Sequence, residues 1–360
     1  MRVDALWLTD YRNYQVAELR PAPGLTAVVG ANGAGKTNLL EAIGYLATLS
    51  SFRGTPGDAL VRVGASTAVV RAEVTSGGRT ALIEAELQPT GRDRVMVNRS
   101  PLRRGRDLLG SLRVSVFSPD DVDLVKGGPA GRRRLLDDTL VSCAPRLDGV
   151  RTDLDRVLRQ RNTLLKQAGG RASAEVSATL DVWDTKLVEL GEDLARARDR
   201  LVARLTPMVA AAYDRVAATA SSVTLEYAAP WRAAGLATTL TASRHDDLRR
   251  GVTTVGPHRD DLLVGLSGLP SRTHASSGEQ RSLALALRLA THAVVSDVAG
   301  TTPVLLLDDV FSELDPARSA ALLQALPAGQ ALLTTAGSLP SGASPELLVR
   351  VGGGRLLAAA

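Results

Sequence analysis

One cysteine, Cys143, stands in a chain of 360 residues, which excludes an intramolecular disulfide framework and any cysteine-rich metal site. Aromatic side chains make up only 3% of the chain, which gives little support to base stacking as a way of holding nucleic acid. Lysine is nearly missing: Lys36, Lys126, Lys166 and Lys186 are the only four among 43 basic residues. No apolar run reaches the roughly 18 residues of a membrane span. The first 14 residues carry Arg2, Asp4, Asp10 and Arg12, so neither a transmembrane segment nor a signal peptide is predicted, and a soluble, cytoplasmic protein is expected. What is present is globular in composition, 44% hydrophobic and 22% charged. The length suits about two domains, or one elongated domain with a large insertion. The net charge of +5 is carried by arginine, whose guanidinium grips phosphate bidentately, although GC-rich coding favours arginine as well.

Residues 3–8 and 25–29 are apolar and partly β-branched, as strands should be. Residues 68–74, 80–87 and 95–97 alternate apolar and polar around Gly77, Gly78 and Gly91, the pattern of antiparallel hairpins with one wet face. After Pro119 the texture changes to glycine-poor, Leu-, Arg- and Asp-rich segments over residues 130–167 and 174–220, which predict helices. In the second, Leu180, Trp183, Leu187, Leu190, Leu194, Ala197, Leu201, Leu205 and Met208 form a heptad-like seam. In the first, Leu147, Val150, Leu154, Val157 and Leu164 match it, with Gly169 and Gly170 as the break, so an antiparallel helical hairpin is expected. Its longer arm spans on the order of 60 Å at the helical rise. Strand, glycine turn and helix return from Thr253, ending in the apolar runs 304–307 and 331–333. The expected organisation is an α/β head whose first part is 1–117, a helical hairpin (lid or arm) domain 118–250, and a second part of the head 251–360.

Gly30-Ala31-Asn32-Gly33-Ala34-Gly35-Lys36-Thr37 matches G-x-x-x-x-G-K-[ST], directly after the strand 25–29 and before the helical segment that opens at Asn38. Glycines let the backbone wrap a phosphate with N–H groups inward, Lys36 adds a point charge, and the helix N-terminus faces the same anion. Thr37 offers its hydroxyl to Mg²⁺.

The run 304–307 ends in Asp308 and Asp309, at the strand end where doubly wound sheets bind ligand. Asp308 is expected to hold the magnesium shell, and Asp309 to act as base toward the water that attacks the γ-phosphate. Ahead of it, Ser276-Ser277-Gly278-Glu279-Gln280 precedes a helix expected over 281–293, with Ser277 and Gly278 as its cap.

This ordered set resembles the ABC-type P-loop ATPase heads: Walker A, signature Ser-Ser-Gly-Glu-Gln, Walker B Leu-Leu-Leu-Asp-Asp and D-loop Ser312-Glu313-Leu314-Asp315. The resemblance implies a sandwich dimer glued by ATP, with Ser277, Gly278 and Glu279 facing nucleotide held by the other protomer. More narrowly, Tyr11-Arg12-Asn13-Tyr14, residues 33–43, 117–121 and 125–128 with Arg132-Arg133-Arg134, Gly256-Pro257-His258-Arg259-Asp260-Asp261 and residues 278–288 resemble the RecF family of bacterial recombination mediators. That resemblance implies an antiparallel β lobe, slow DNA-stimulated ATP hydrolysis, and binding to single-stranded, gapped and double-stranded DNA. It also implies work with RecO and RecR to place RecA, in replication, repair and the SOS response. An SMC-like or transporter-type head acting only as a subunit of another machine is the alternative. Two departures stand out: Thr334-Thr335-Ala336 where transporters carry a histidine, and Asp309 where a glutamate is usual.

Six arginines, Arg92, Arg94, Arg99, Arg103, Arg104 and Arg106, stand against the single Asp93 within fifteen residues. Arg103, Arg104 and Arg106 are the first candidates for DNA phosphates, with Arg132 to Arg134 second. His258 lacks a paired Ser or Cys nucleophile and reads as structural.

Overall fold

The structure, a computed structural model, describes residues 1–217 and 221–357. The chain opens with β1 (Arg2–Tyr11), β2 (Tyr14–Leu19), β3 (Leu25–Val29) and helix α1 (Lys36–Thr48). A meander follows, β4 (Ala68–Ser76), β5 (Arg79–Leu87), β6 (Arg94–Val97) and β7 (Ser100–Pro101), and then β8 (Val114–Phe117). The middle holds α2 (Asp123–Lys126), α3 (Pro129–Cys143), α4 (Leu147–Ala168), α5 (Ala174–Ala217), β9 (Val223–Ala228) and α6 (Leu236–Arg250). The last third runs β10 (Asp261–Leu266), β11 (Leu269–Pro270), α7 (Ser271–His274), α8 (Ser277–Ala299), β12 (Val304–Asp308), α9 (Pro316–Ala325), β13 (Ala331–Thr335), β14 (Leu347–Gly352) and β15 (Arg355–Leu357).

Two compact units result: residues 1–122, 208–221 and 277–360, and residues 123–207 and 222–276. In the first, a six-stranded antiparallel sheet has the order β2-β1-β4-β5-β6-β7, and a second six-stranded sheet the order β15-β14-β3-β13-β12-β8. β4 alternates buried and wetter positions, as a strand with one face in the core does. β12 and β13 are buried at every position, because central parallel strands are covered on both faces. α1 is buried around its circumference from Leu39 to Ala47, and Leu39, Leu40, Ile43 and Leu46 share one core with residues of both sheets. α8 is long and apolar enough to cross a membrane by length and composition, yet 67% of its apolar window is buried within the protein. It is a core helix of the head.

The second unit is tied by arginine–aspartate pairs. Arg161, with no exposed surface, donates to Asp184 Oδ1 at 2.6 Å, Asp247 Oδ2 at 2.7 Å and Thr253 Oγ1 at 2.9 Å, joining α4, α5, α6 and the segment after α6. Arg198 of α5 grips both oxygens of Asp137 on α3 at 2.8 Å. Removing one member of such a buried pair costs about 3–5 kcal/mol.

The expected single helix over 130–167 is two, broken between Cys143 and Leu147, because Pro145 has no N–H to give and disfavours helix at the residue before it. The turn at Gly169 and Gly170, both at positive φ, is present, and Leu165 packs on Leu180. Leu248 of α6 completes that cluster, so a third helix joins the hairpin. Residues 251–276, expected with the head, cluster with the helical unit instead. β10 pairs with β9 along six residue pairs, and Arg132 of α3 grips Asp261. Residues 208–217, the end of α5, cluster with the head. The helical reading of 218–220 lies outside the described residues.

Candidate nucleotide-binding site

The sheet order β3-β13-β12 places the two chemical motifs at neighbouring strand ends with β13 between them. At the end of β3, Gly30 has room for no side chain: a Cβ would lie 2.3 Å from Val351 O of β14. Gly35, the cap of α1, sits at φ 116°, and a Cβ there would meet Asn13 Nδ2 at 2.5 Å. Between them Ala31, Asn32 and Gly33 are exposed, Gly33 at φ 77°, which leaves the crown of the loop open to a ligand. Lys36 Nζ is held inside the loop, donating to Gly30 O at 2.8 Å and Ala31 O at 3.0 Å.

A brace unread in the sequence comes from the β1–β2 turn. Asn13 Nδ2 donates to Ala34 O at 2.9 Å, its Oδ1 accepts from Asn38 Nδ2 at 2.8 Å, and the buried Tyr14 Oη donates to Gly35 O at 3.0 Å. Arg12 forms a bidentate pair at 2.7 Å with Glu41, buried in α1, and Ser51 Oγ donates to the same carboxylate at 2.5 Å. The phosphate loop is thus fixed from below by side chains of a separate sheet. Burial pushes the Tyr14 hydroxyl above its ordinary value, so it remains a donor.

Asp308 Oδ1 accepts from Thr37 Oγ1 and from Thr334 Oγ1, both at 2.8 Å. Burial raises the Asp308 carboxyl above the usual range, and the two hydroxyl donors work against that rise. The Thr37 hydroxyl and Asp308 carboxylate are hard oxygen donors, the kind that suit Mg²⁺. Among the described residues no group of three or more His, Cys, Asp or Glu side chains comes together, so an ion here would draw its other ligands from water and phosphate. Asp309 adopts left-handed backbone, φ 49° and ψ 28°, and its N–H donates to Thr334 Oγ1 at 2.9 Å. Its Oδ1 is buried without a hydrogen-bond partner, a costly state for a carboxylate that finds no group to engage.

α8 begins at Ser277, four residues earlier than expected, so Ser277 and Gly278 belong to its first turn and are not its cap. Among the described residues no hydrogen bond joins Ser277 or Gly278 to the phosphate loop. Gly278 lies under Arg318, whose Nη2 would be 2.7 Å from a Cβ. Arg281 pairs with Glu313 at 2.7 Å, tying α8 to the segment 312–315, and Asp315 caps α9 by accepting from Arg318 N–H at 2.9 Å.

In the basic segment Arg92, Arg94, Arg99, Arg103 and Arg104 are exposed and Arg106 is half-buried. Asp93 is engaged elsewhere, accepting from Tyr45 Oη at 2.8 Å and Gln88 N–H at 3.1 Å. Arg132, Arg133 and Arg134 do not form a second such surface. Arg132 is 4% exposed and bidentate to Asp261, Arg133 donates to Asp260 O at 2.7 Å, and Arg134 pairs with Asp138. His258 is structural: its Nε2 lies 3.0 Å from Thr253 O, and burial lowers its imidazole to about 4.

A family model described as the RecF/RecN/SMC N terminal domain matches residues 2–335. The chain is similar to a DNA replication and repair protein RecF from Frankia alni, 47% identical over 355 residues and 93% of each chain. It is also similar to a solved structure described as the recombination mediator protein RecF-ATP in the RecFOR pathway. The TM-score there is 0.91 at 28% identity, covering 99% of this chain and 97% of that one. An Smc head bound to the C-winged helix domain of ScpA shares the fold at TM-score 0.60 and 17% identity.

Proposed function

The chain belongs to the RecF family of replication and repair proteins, and from that premise we propose that it is an ATP-gated DNA-binding dimer with slow hydrolysis. The observation that carries the reading is the union of both motifs in one hydrogen-bonded site, Thr37 of the phosphate loop on Asp308 of the acidic strand.

ATP sits with its phosphates in the loop from Gly30 to Thr37, with Lys36 and the α1 N-terminus against their charge. Mg²⁺, when bound by Thr37 and Asp308, neutralises charge on the phosphates. Asp309, with one buried oxygen free of partners, accepts the proton of the attacking water. Its side chain is a methylene shorter than the usual glutamate, so turnover is slow. Ser277, Gly278 and Glu279 complete the site of a second copy, a reading supported by the fact that among the described residues no hydrogen bond joins Ser277 or Gly278 to the phosphate loop of their own chain. Arg103, Arg104 and Arg106 hold DNA by its phosphates with little sequence preference. In this reading the protein is cytoplasmic and DNA stimulates its hydrolysis. It works with RecO- and RecR-type mediators to place RecA on gapped DNA, and so supports replication and SOS induction.

The test is equilibrium binding to gapped, single-stranded and duplex DNA with no nucleotide, ADP and ATP–Mg²⁺, at two salt concentrations. Tight, salt-sensitive binding with ATP alone is the expected result. No binding in any state would overturn the DNA-gating reading and leave a head that serves another machine.

A further inference from the structure

Between the two motif-bearing strands lies a side chain that neither motif contains. Thr334 is at the end of β13, paired across the parallel ladder with Asp308 on one side and Val28 on the other. It has no exposed surface. Its hydroxyl serves both carboxylate residues at once, donating to Asp308 Oδ1 at 2.8 Å and accepting the Asp309 N–H at 2.9 Å. The first bond sets which way the Asp308 carboxylate turns, since Thr37 converges on the same oxygen. The second ties down the peptide at which the chain leaves β12 for the left-handed conformation of Asp309. Neighbouring Thr335 does neither: its Oγ1 accepts from Gly337 N–H at 3.2 Å.

We propose that Thr334 is a positioning residue for ATP hydrolysis, holding Asp308 toward the metal site and Asp309 toward the attacking water through one hydroxyl. This rests on the roles assigned above to the two carboxylates. A hydroxyl is required because the position needs a donor and an acceptor on one atom. Valine, of nearly the same shape, would leave Asp308 Oδ1 short of one donor and take away the Thr334 acceptor of the Asp309 N–H.

The test compares Thr334→Ser, Thr334→Ala, Thr334→Val and Thr335→Val in the full chain. Binding of a fluorescent ATP analogue is read in EDTA and along a Mg²⁺ titration, together with kcat and KM for hydrolysis. In EDTA all four should bind within about twofold of the parent, since the phosphate loop is untouched. Loss of one or two buried hydrogen bonds should raise the Mg²⁺ midpoint and lower kcat by about tenfold in the Ala and Val variants. Thr334→Ser and Thr335→Val should stay within about threefold of the parent. Should the Val variant melt early, the Ser and Ala pair decides: a tenfold gap between them supports the inference, and equal Mg²⁺ midpoints and kcat overturn it. Asp308→Asn is measured alongside. If it shifts the Mg²⁺ midpoint while Thr334→Ala does not, only the role of Thr334 falls. If Asp308→Asn titrates like the parent, the assignment of the carboxylates falls instead.

Discussion

Reversing Arg103 and Arg104 to glutamate should change the salt dependence of DNA binding by an amount that can be worked out beforehand. Both side chains are exposed and neither is in an ion pair among the described residues. The only acid in their segment as far as Arg106, Asp93, is occupied by Tyr45 and a backbone N–H, so both charges are available to phosphate. Each phosphate contact on duplex DNA contributes about 0.9 to the slope of log affinity against log salt. Losing two should therefore reduce the slope by about 1.8. Between roughly 50 mM and 200 mM salt, the double variant should lose about twelvefold less affinity than the parent does, having started from weaker binding. Fluorescence anisotropy on a duplex, titrated at four salt concentrations with ATP–Mg²⁺, reads this directly. ATP-analogue binding should not move, because neither arginine touches the phosphate loop. A slope equal to that of the parent would remove Arg103 and Arg104 from the DNA surface, however much the affinity itself had changed.

Tyr14→Phe removes the hydroxyl that donates to Gly35 O and should weaken ATP binding about fivefold while the fold stays intact, measured by analogue titration and thermal melting. Unchanged affinity would mean that the brace does not shape the loop. Lys36→Ala removes the loop's fixed charge and should abolish ATP-dependent dimerisation in sedimentation; a dimer that still forms with ATP would contradict its role. His292, buried beside Ser115 and 2.9 Å from its Oγ, is lowered to about 4 by burial, so the folded protein keeps it neutral. The unfolded chain takes up its proton first. This contribution to stability is full above about pH 6.5 and is lost as pH falls toward 4, at about 1.4 kcal/mol per pH unit. His292→Gln should flatten the melting profile between pH 6.5 and 5, and parallel profiles would contradict the assignment.

The phosphate loop and the acidic strand were legible because each is a contiguous run whose chemistry forces its spacing: glycines at 30, 33 and 35, and two carboxylates after four apolar residues. The heptad seam was legible for the same reason, and six of its nine residues are buried, with Trp183, Leu190 and Met208 half-buried. What escaped depends on partners distant in sequence. Arg132 looks like part of a basic cluster until Asp261, 129 residues on, neutralises it. Thr334 stands out in the sequence only as part of the run that replaces a histidine, and its hold on both aspartates is visible only once β13 is placed between β3 and β12. Arg12 and Glu41 share a charge pair across two elements, and no local pattern joins them. Pro145 is a local signal that the leucine pattern on either side masks, and there the backbone chemistry of proline ends one helix at Cys143 and lets the next begin at Leu147.

In the proposed cycle ATP closes the protein on DNA and hydrolysis at Asp309 reopens it. The most direct test is the release rate from gapped DNA after a competitor chase, followed for the parent and for Asp309→Asn preloaded with ATP–Mg²⁺. The parent should leave at the rate at which it hydrolyses ATP, while the variant binds ATP equally well and stays bound many times longer. Equal release rates for the two, or hydrolysis by Asp309→Asn at the parent's rate, would contradict the account.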